Sequence, residues 1–332
     1  MKKLLFYVTV LTLLLAACSS DDASKGSKTT PGDSSDKLSI YTTVYPLQYF
    51  AERIGGDAVE VASIYPAGAN EHTFEPTQKD MMSLADADLF FYVGLGLEGF
   101  LEKSKKTLAN EGVKLVPTAE GVTEDQLHIS TGHTHAEATE EDHDHDHDED
   151  THEDHADTDQ DAHVWLSPII SQQLALSIKD ELVNALPEQE ATFTANYDQL
   201  VADLNTLNAD FEEMAKSTSK KTFFVSHAAF GYIAGHYGFT QVPVAGLNSQ
   251  SEPSQKELTA IVDLAKKENI EYMFFEQNVS SSLTEIIQKE IGAKPLILHN
   301  LSVLTKEDIA NNEDYFTLMR KNIDVLKQAL SN

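Results

Sequence analysis

The chain predicts an α/β fold of two lobes, each a mainly parallel β-sheet covered by helices, joined by one long rigid α-helix. Three observations predict it. Short apolar runs alternate with helical patterns on both sides of an acidic tract, and repeated βα units of this kind build parallel sheets. Between the two blocks lies one long helical stripe with no break in its period. The mature length of about 300 residues suits two domains of ordinary size.

The first residues read as an export signal over 1–17. Lys2 and Lys3 supply the positive end, residues 4–15 an apolar core, and Leu15-Ala16-Ala17-Cys18 a small-residue cleavage site. An apolar core that short cannot span a bilayer, which needs roughly 20 residues. The spacing resembles a bacterial lipobox, in which Cys18 becomes the lipidated N-terminus, so an extracytoplasmic protein anchored to the outer face of the cytoplasmic membrane is expected. Cys18 is the only cysteine, which excludes an intrachain disulfide and cysteine-based structural zinc sites. Residues 18–37 then form a Ser/Asp/Gly/Thr-rich flexible tether.

The first lobe is expected over 38–186, with strands at 38–44, 59–65, 89–93 and 113–116 and helices at 47–54, 78–85 and 97–108. The second is expected over 220–332, with strands at 222–226, 241–245, 272–275 and 296–298. Its helix starts carry Ser/Thr-x-x-acid pairs at Ser254/Glu257, Ser282/Glu285 and Thr305/Asp308. The linking helix is assigned to 187–219. Phe193, Tyr197, Leu200, Leu204, Leu207, Phe211 and Met214 recur four and three apart, which makes one apolar face. Such a face also suits a coiled-coil dimer seam. Its place between two complete α/β blocks favours a shared backbone for both lobes, and a monomer is expected.

A disordered loop is expected over about 121–160. It is nearly all His, Asp, Glu and small polar residues, too poor in apolar side chains to offset the entropy of ordering. Eight of the thirteen histidines lie there: His128, His133, His135, His143, His145, His147, His152 and His155. Imidazole and carboxylate are ligands for borderline divalent cations, so the tract reads as an auxiliary set of weak metal sites, with a solvated acidic spacer as the alternative. The formal charge of −30 repels nucleic acid and anionic lipid, which excludes both as partners of the protein surface.

The remaining histidines fall in distinct settings. His72 lies in the Gly/Pro-punctuated loop Glu71-His72-Thr73-Phe74-Glu75-Pro76 after a strand. His163 lies in Ala162-His163-Val164-Trp165-Leu166-Ser167-Pro168, where Ser167 and Pro168 suit the cap and first turn of a helix. His227 ends a strand in Ser226-His227-Ala228-Ala229-Phe230. Ligands of parallel sheets gather outside the carboxyl ends of strands. These three histidines, drawn from both lobes, can therefore converge on one cation in the interlobe cleft. His236, at the end of a short helix, reads as structural.

These motifs, with the lipobox, the His-rich insertion and the long helix, resemble the zinc-specific branch of the metal-binding lipoproteins of bacterial ABC importers. The resemblance covers essentially the whole chain. It implies a metal held between two rigidly linked lobes for delivery to an ABC permease in the membrane. It also carries the family's three histidine ligands onto His72, His163 and His227, for one high-affinity Zn²⁺. Two departures stand out. The family's Asp-Pro-His-Val-Trp is Asp161-Ala162-His163-Val164-Trp165 here. Streptococcal-type members place a carboxylate ligand where this chain has Ser302, which leaves the fourth position to water, Glu71 or His299, with His299 ranked last.

Three neutral imidazoles plus one oxygen suit tetrahedral Zn²⁺, whereas manganese favours carboxylates. Manganese-type members resemble this chain but carry an acid where His227 stands. Other divalent metals of the same family, and a surface adhesin, are the alternative functions. Three histidines and a water also make a catalytic zinc. No His-Glu-x-x-His signature accompanies them, and a metallohydrolase is not expected.

Overall fold

The computed structural model describes residues 37–132, 160–251, 253–279 and 281–331. The expected signal peptide, Cys18, the tether to residue 36 and the tract from 133 to 159 lie outside the described residues. From Lys37 onward the chain is one compact unit built on two four-stranded parallel sheets.

The first sheet has the order β2-β1-β3-β4, from β1 (Leu38–Thr42), β2 (Val59–Ser63), β3 (Leu89–Tyr92) and β4 (Lys114–Pro117). All pairings are parallel, with Leu38 opposite Val59 and Ile40 opposite Leu89. β3 is buried throughout, the pattern of a strand covered on both faces. Its crossovers are α1 (Tyr45–Gly55), with Pro46 in the first turn where its missing N–H is harmless, and α2 (Gln78–Ala85), closed by a Thr77/Asp80 capping box. α3 (Leu101–Leu108) follows β3.

Residues 121–132 depart from the expected loop. Thr123 and Gln126 cap a single turn, α4 (Glu124–Leu127), and the chain then runs ordered to Gly132. Leu127 is part-buried against the core and Val122 is buried, apolar anchors that the tract beyond Gly132 lacks. Residues 121–132 are therefore held against the fold, where a disordered loop was expected.

Ser167 caps α5 (Pro168–Ala185) by accepting from the Ile170 N–H, as its sequence predicts. A turn at Pro187–Gln189 leads into α6 (Glu190–Ser217), 28 residues and about 42 Å long. Phe193, Leu200, Leu204, Leu207 and Phe211 are fully buried on it, Met214 nearly so, and Tyr197 partly. They meet α1 and α5 from the first half of the chain and the C-terminal helix α11 (Tyr315–Leu330) from the second. The apolar stripe is thus filled from within the chain.

The second sheet repeats the first, as β6-β5-β7-β8, from β5 (Thr222–His227), β6 (Thr240–Ala245), β7 (Tyr272–Phe275) and β8 (Lys294–Ile297). Its helices are α7 (Gly231–Tyr237), α8 (Gln255–Lys267), α9 (Ser282–Ile291), α10 (Lys306–Ala310) and α11 (Tyr315–Leu330). Ser254/Glu257 and Thr305/Asp308 form the expected capping boxes. α9 is capped one residue early, by Ser281 on the Thr284 N–H, because consecutive serines offer more than one register. One hydrophobic core unites residues of both sheets with α1, α5, α6 and α11, while a smaller cluster fills the space under α8 and α9. In each sheet the strand order reverses beside the first strand, and both carboxyl edges open toward the same group of loops.

Candidate metal centre

Two loops and one strand end deliver the histidines. The loop after β2 carries His72, whose backbone N–H is turned by the Asn70 side chain (Oδ1, 2.9 Å). His163 stands just ahead of the single helical turn Val164–Leu166. There Asp161 Oδ1 accepts from both its backbone N–H (2.9 Å) and its ring Nδ1 (2.7 Å). His227 is the last residue of β5, and its Nδ1 faces Glu276 Oε1 at 2.6 Å. Ser226 Oγ donates to the same oxygen at 2.5 Å. His163 and His227 are fully buried, and His72 nearly so.

With Nδ1 committed as donor to a carboxylate, His163 and His227 each present the lone pair of Nε2. Those atoms converge: His163 Nε2 lies 3.3 Å from the Nε2 of both His72 and His227. Nitrogens bound at about 2.0–2.1 Å around a tetrahedral zinc stand about 3.3–3.4 Å apart, against about 2.9 Å for right-angle geometry at the same bond length. The two spacings to His163 Nε2 match the tetrahedral value. Nitrogens this close need a proton or a metal cation between them, and the inward-facing Nε2 atoms fit a divalent cation.

Glu71 completes the group. It is 1% exposed, and its Oε1 lies 3.9 Å from His72 Nε2. One ligand atom from each of Glu71, His72, His163 and His227 falls within 4.8 Å of the other three. Beside His72 and His163 a cavity of about 320 Å³ opens toward solvent, walled by Leu95, Gly96 and Leu97 from the first sheet's loops and Leu247 and Asn248 from the second.

Electrostatics separate the histidines. Burial, with the neighbouring His163 and His227, drives His72 down to about 2, so it is neutral. Burial also pushes His227 down, but the charge and hydrogen bond of Glu276, with Glu71 and Asp161, outweigh it and leave His227 raised. Burial likewise opposes ionisation of Glu276, yet His227, Ser226 and Asn300 keep it below the usual carboxylate range.

The other expected positions lie elsewhere. His299 does not join the group: its Nδ1 accepts from the Leu301 N–H (2.9 Å) and its Nε2 faces Asp308 at 3.2 Å, tying α10 to the loop after β8. Ser302 lies in a hydrogen-bond network with Asn278 and Asn300. His236 ends α7 against Tyr237, a packing role. His128 is exposed at the end of α4, and the other seven tract histidines lie outside the described residues. Sequence reasoning did not assign roles to Asp161 and Glu276. An acid two residues before His163, and another directly after the β7 apolar run, were the available signals.

Residues 40–329 match the family described as zinc-uptake complex component A, periplasmic. The chain is 35% identical over 335 residues to the high-affinity zinc uptake system protein ZnuA of Bacillus subtilis, spanning 98% of this chain and 97% of that protein. It is 34% identical over 338 residues to the zinc-binding lipoprotein AdcA of Streptococcus pneumoniae, spanning 99% of this chain and 61% of the longer relative. The crystal structure of the Zn(II)-bound ZnuA-like domain of that AdcA superposes with a TM-score of 0.70 at 31% identity, over 89% of this chain and 100% of that domain.

Proposed function

Because this chain belongs to the zinc-uptake complex component A family, we propose that it captures Zn²⁺ outside the cytoplasm and delivers it to an ABC permease. The observation that carries the reading is the 3.3 Å spacing of the histidine Nε2 atoms, with Glu71 beside them. Zinc is cargo here, and the chain's own residues supply binding and release without bond-making chemistry.

In this reading His72, His163 and His227 are the ligands, and a water completes the set beside Glu71, whose nearer oxygen stands 3.9 Å from His72 Nε2. Asp161 and Glu276 hold the two deepest rings in the tautomer that aims Nε2 inward, which also raises their basicity. Because both sheets share one core with α6, the histidines from the two lobes are pre-positioned and little ordering is required on binding. The seven tract histidines from His133 to His155, with His128, act as weak auxiliary sites. The lipidated Cys18 holds the protein at the membrane as a monomer.

Calorimetric titration tests the assignment. The full chain is expected to take one tightly bound zinc. His163→Ala removes that event, and deletion of 133–159 leaves it at one while removing weaker uptake. A His163→Ala protein with unchanged tight binding would refute the site.

A further inference from the structure

Glu71 is held in place by side-chain amides, and one of them reaches across both sheets. Asn300 lies in the loop after β8 and is fully buried. Its Oδ1 accepts from the Ser302 N–H (3.0 Å), from Ser302 Oγ (2.9 Å) and from Gln277 Nε2 (2.6 Å). A backbone N–H only donates, so this atom is the amide oxygen and the NH₂ group faces the other way. On that side lie Glu276 Oε2 (2.8 Å), Asn278 Oδ1 (3.0 Å) and Glu71 Oε1 (3.3 Å). The backbone of Asn300 is equally committed: its N–H donates to Gln277 Oε1 and its carbonyl accepts from Trp165 Nε1 at 2.7 Å.

We propose that Asn300 is a specificity-determining positioning residue, whose amide keeps Glu71 back from the histidine cluster and couples it to Glu276 on the opposite sheet. The inference rests on the zinc-site reading above and extends it to selectivity. The other oxygen of Glu71 is held from Asn278 Nδ2 at 3.0 Å, so both carboxylate oxygens already receive a neutral amide N–H. The result is an oxygen 3.9 Å from His72 Nε2, against 3.3 Å between histidine nitrogens. Nitrogen donors dominate such a site. Borderline cations gain from that set, and harder cations that need several carboxylate oxygens do not.

Asn300→Asp has nearly the same shape and keeps the acceptor for the Ser302 N–H. It removes both donors and sets a carboxylate oxygen against Glu71 and Glu276. Glu71 is pushed toward the ligands and the site becomes richer in oxygen. The full chain is titrated with zinc and manganese in competition, and the cobalt-substituted protein is read by its visible absorption, which weakens as coordination rises above four.

Asn300→Asp is expected to lower the zinc-to-manganese affinity ratio at least fivefold and to weaken the cobalt bands. In a Glu71→Gln background the same exchange is expected to change the ratio less than twofold, because Asn300 acts through Glu71. A fall smaller than fivefold, or an equal fall in the Glu71→Gln background, overturns the inference. Should Asn300→Asp not fold, Asn278→Asp addresses the second Glu71 oxygen and the same fivefold criterion applies. Failure of the wild-type chain to bind zinc would instead overturn the zinc-site reading.

Discussion

Replacing Glu276 with Gln isolates what a buried carboxylate does for a histidine of the proposed zinc site. In the wild-type chain Glu276 Oε1 lies 2.6 Å from His227 Nδ1, and both residues are buried. Gln keeps the shape and an acceptor oxygen for that proton but removes the charge. Two effects result, with different pH dependence. Loss of the carboxylate makes Nε2 a weaker donor, and changes of this kind cost about 10- to 100-fold in metal affinity, or about 1.4–2.7 kcal/mol.

Against that, Glu276 is the main reason His227 is raised despite burial, so removing it lowers the proton affinity of His227. Wild-type zinc must displace a proton wherever the pH lies below the raised His227 value. Its affinity therefore begins to fall on acidification at a pH above 6.5, not at the value of free imidazole. In the variant that fall begins lower. The affinity gap between the two proteins is thus largest near pH 8.5 and narrows toward pH 6. Chelator-competition titrations at four pH values between those limits measure it. A gap that stays constant or widens on acidification would refute the reasoning, as would unchanged affinity at pH 8.5.

Two further outcomes are expected from the same geometry. The segment Ile129–Gly132 lies against α7, with Thr131 N–H on the Gly231 carbonyl and Gln241 Nε2 on the carbonyls of Thr131 and Gly132. A Cβ on Gly235 would overlap the Ile129 carbonyl oxygen, so Gly235→Ala should lower stability by roughly 1–3 kcal/mol in chemical denaturation, and an unchanged midpoint would show that the segment yields freely. In the metal-free protein His72 is neutral down to about pH 2, whereas the unfolded chain protonates it below about 6.5, so its contribution to stability falls as pH drops below 6.5. Metal-free His72→Ala should therefore lose less stability than wild type between pH 6.5 and 4.5, by about 1.4 kcal/mol per pH unit at most; equal slopes in urea titrations would exclude this.

Much of the fold was legible because its signals are local. The limits of α2 and β7, the Ser167 cap and the α6 stripe each depend on a few neighbouring residues, and each appears where its pattern places it. Residues 121–132 were expected in the disordered loop for the opposite reason. Residues 124–132 look as polar as the His-rich tract beyond them, and only their docking on α7, seated against two glycines, shows that they are ordered.

The site divides along the same line. His72, His163 and His227 could be named from sequence, since each sits at a strand end or a helix start that the chain announces within about ten residues. That they suit a borderline divalent cation follows from imidazole chemistry, and zinc in particular from the family resemblance. The fourth position was open between water, Glu71 and His299, and only packing distinguishes the two side chains. His299 is drawn to Asp308, while Glu71 is set beside His72 by Asn278 and Asn300. The Asn300 contact joins residues 229 positions apart, and the Glu276 contact to His227 joins residues 49 apart. No periodicity or cap encodes such pairings. They exist because two parallel sheets, locked by α6 into one core, bring their carboxyl edges together, and with them Glu71, His72, His163 and His227.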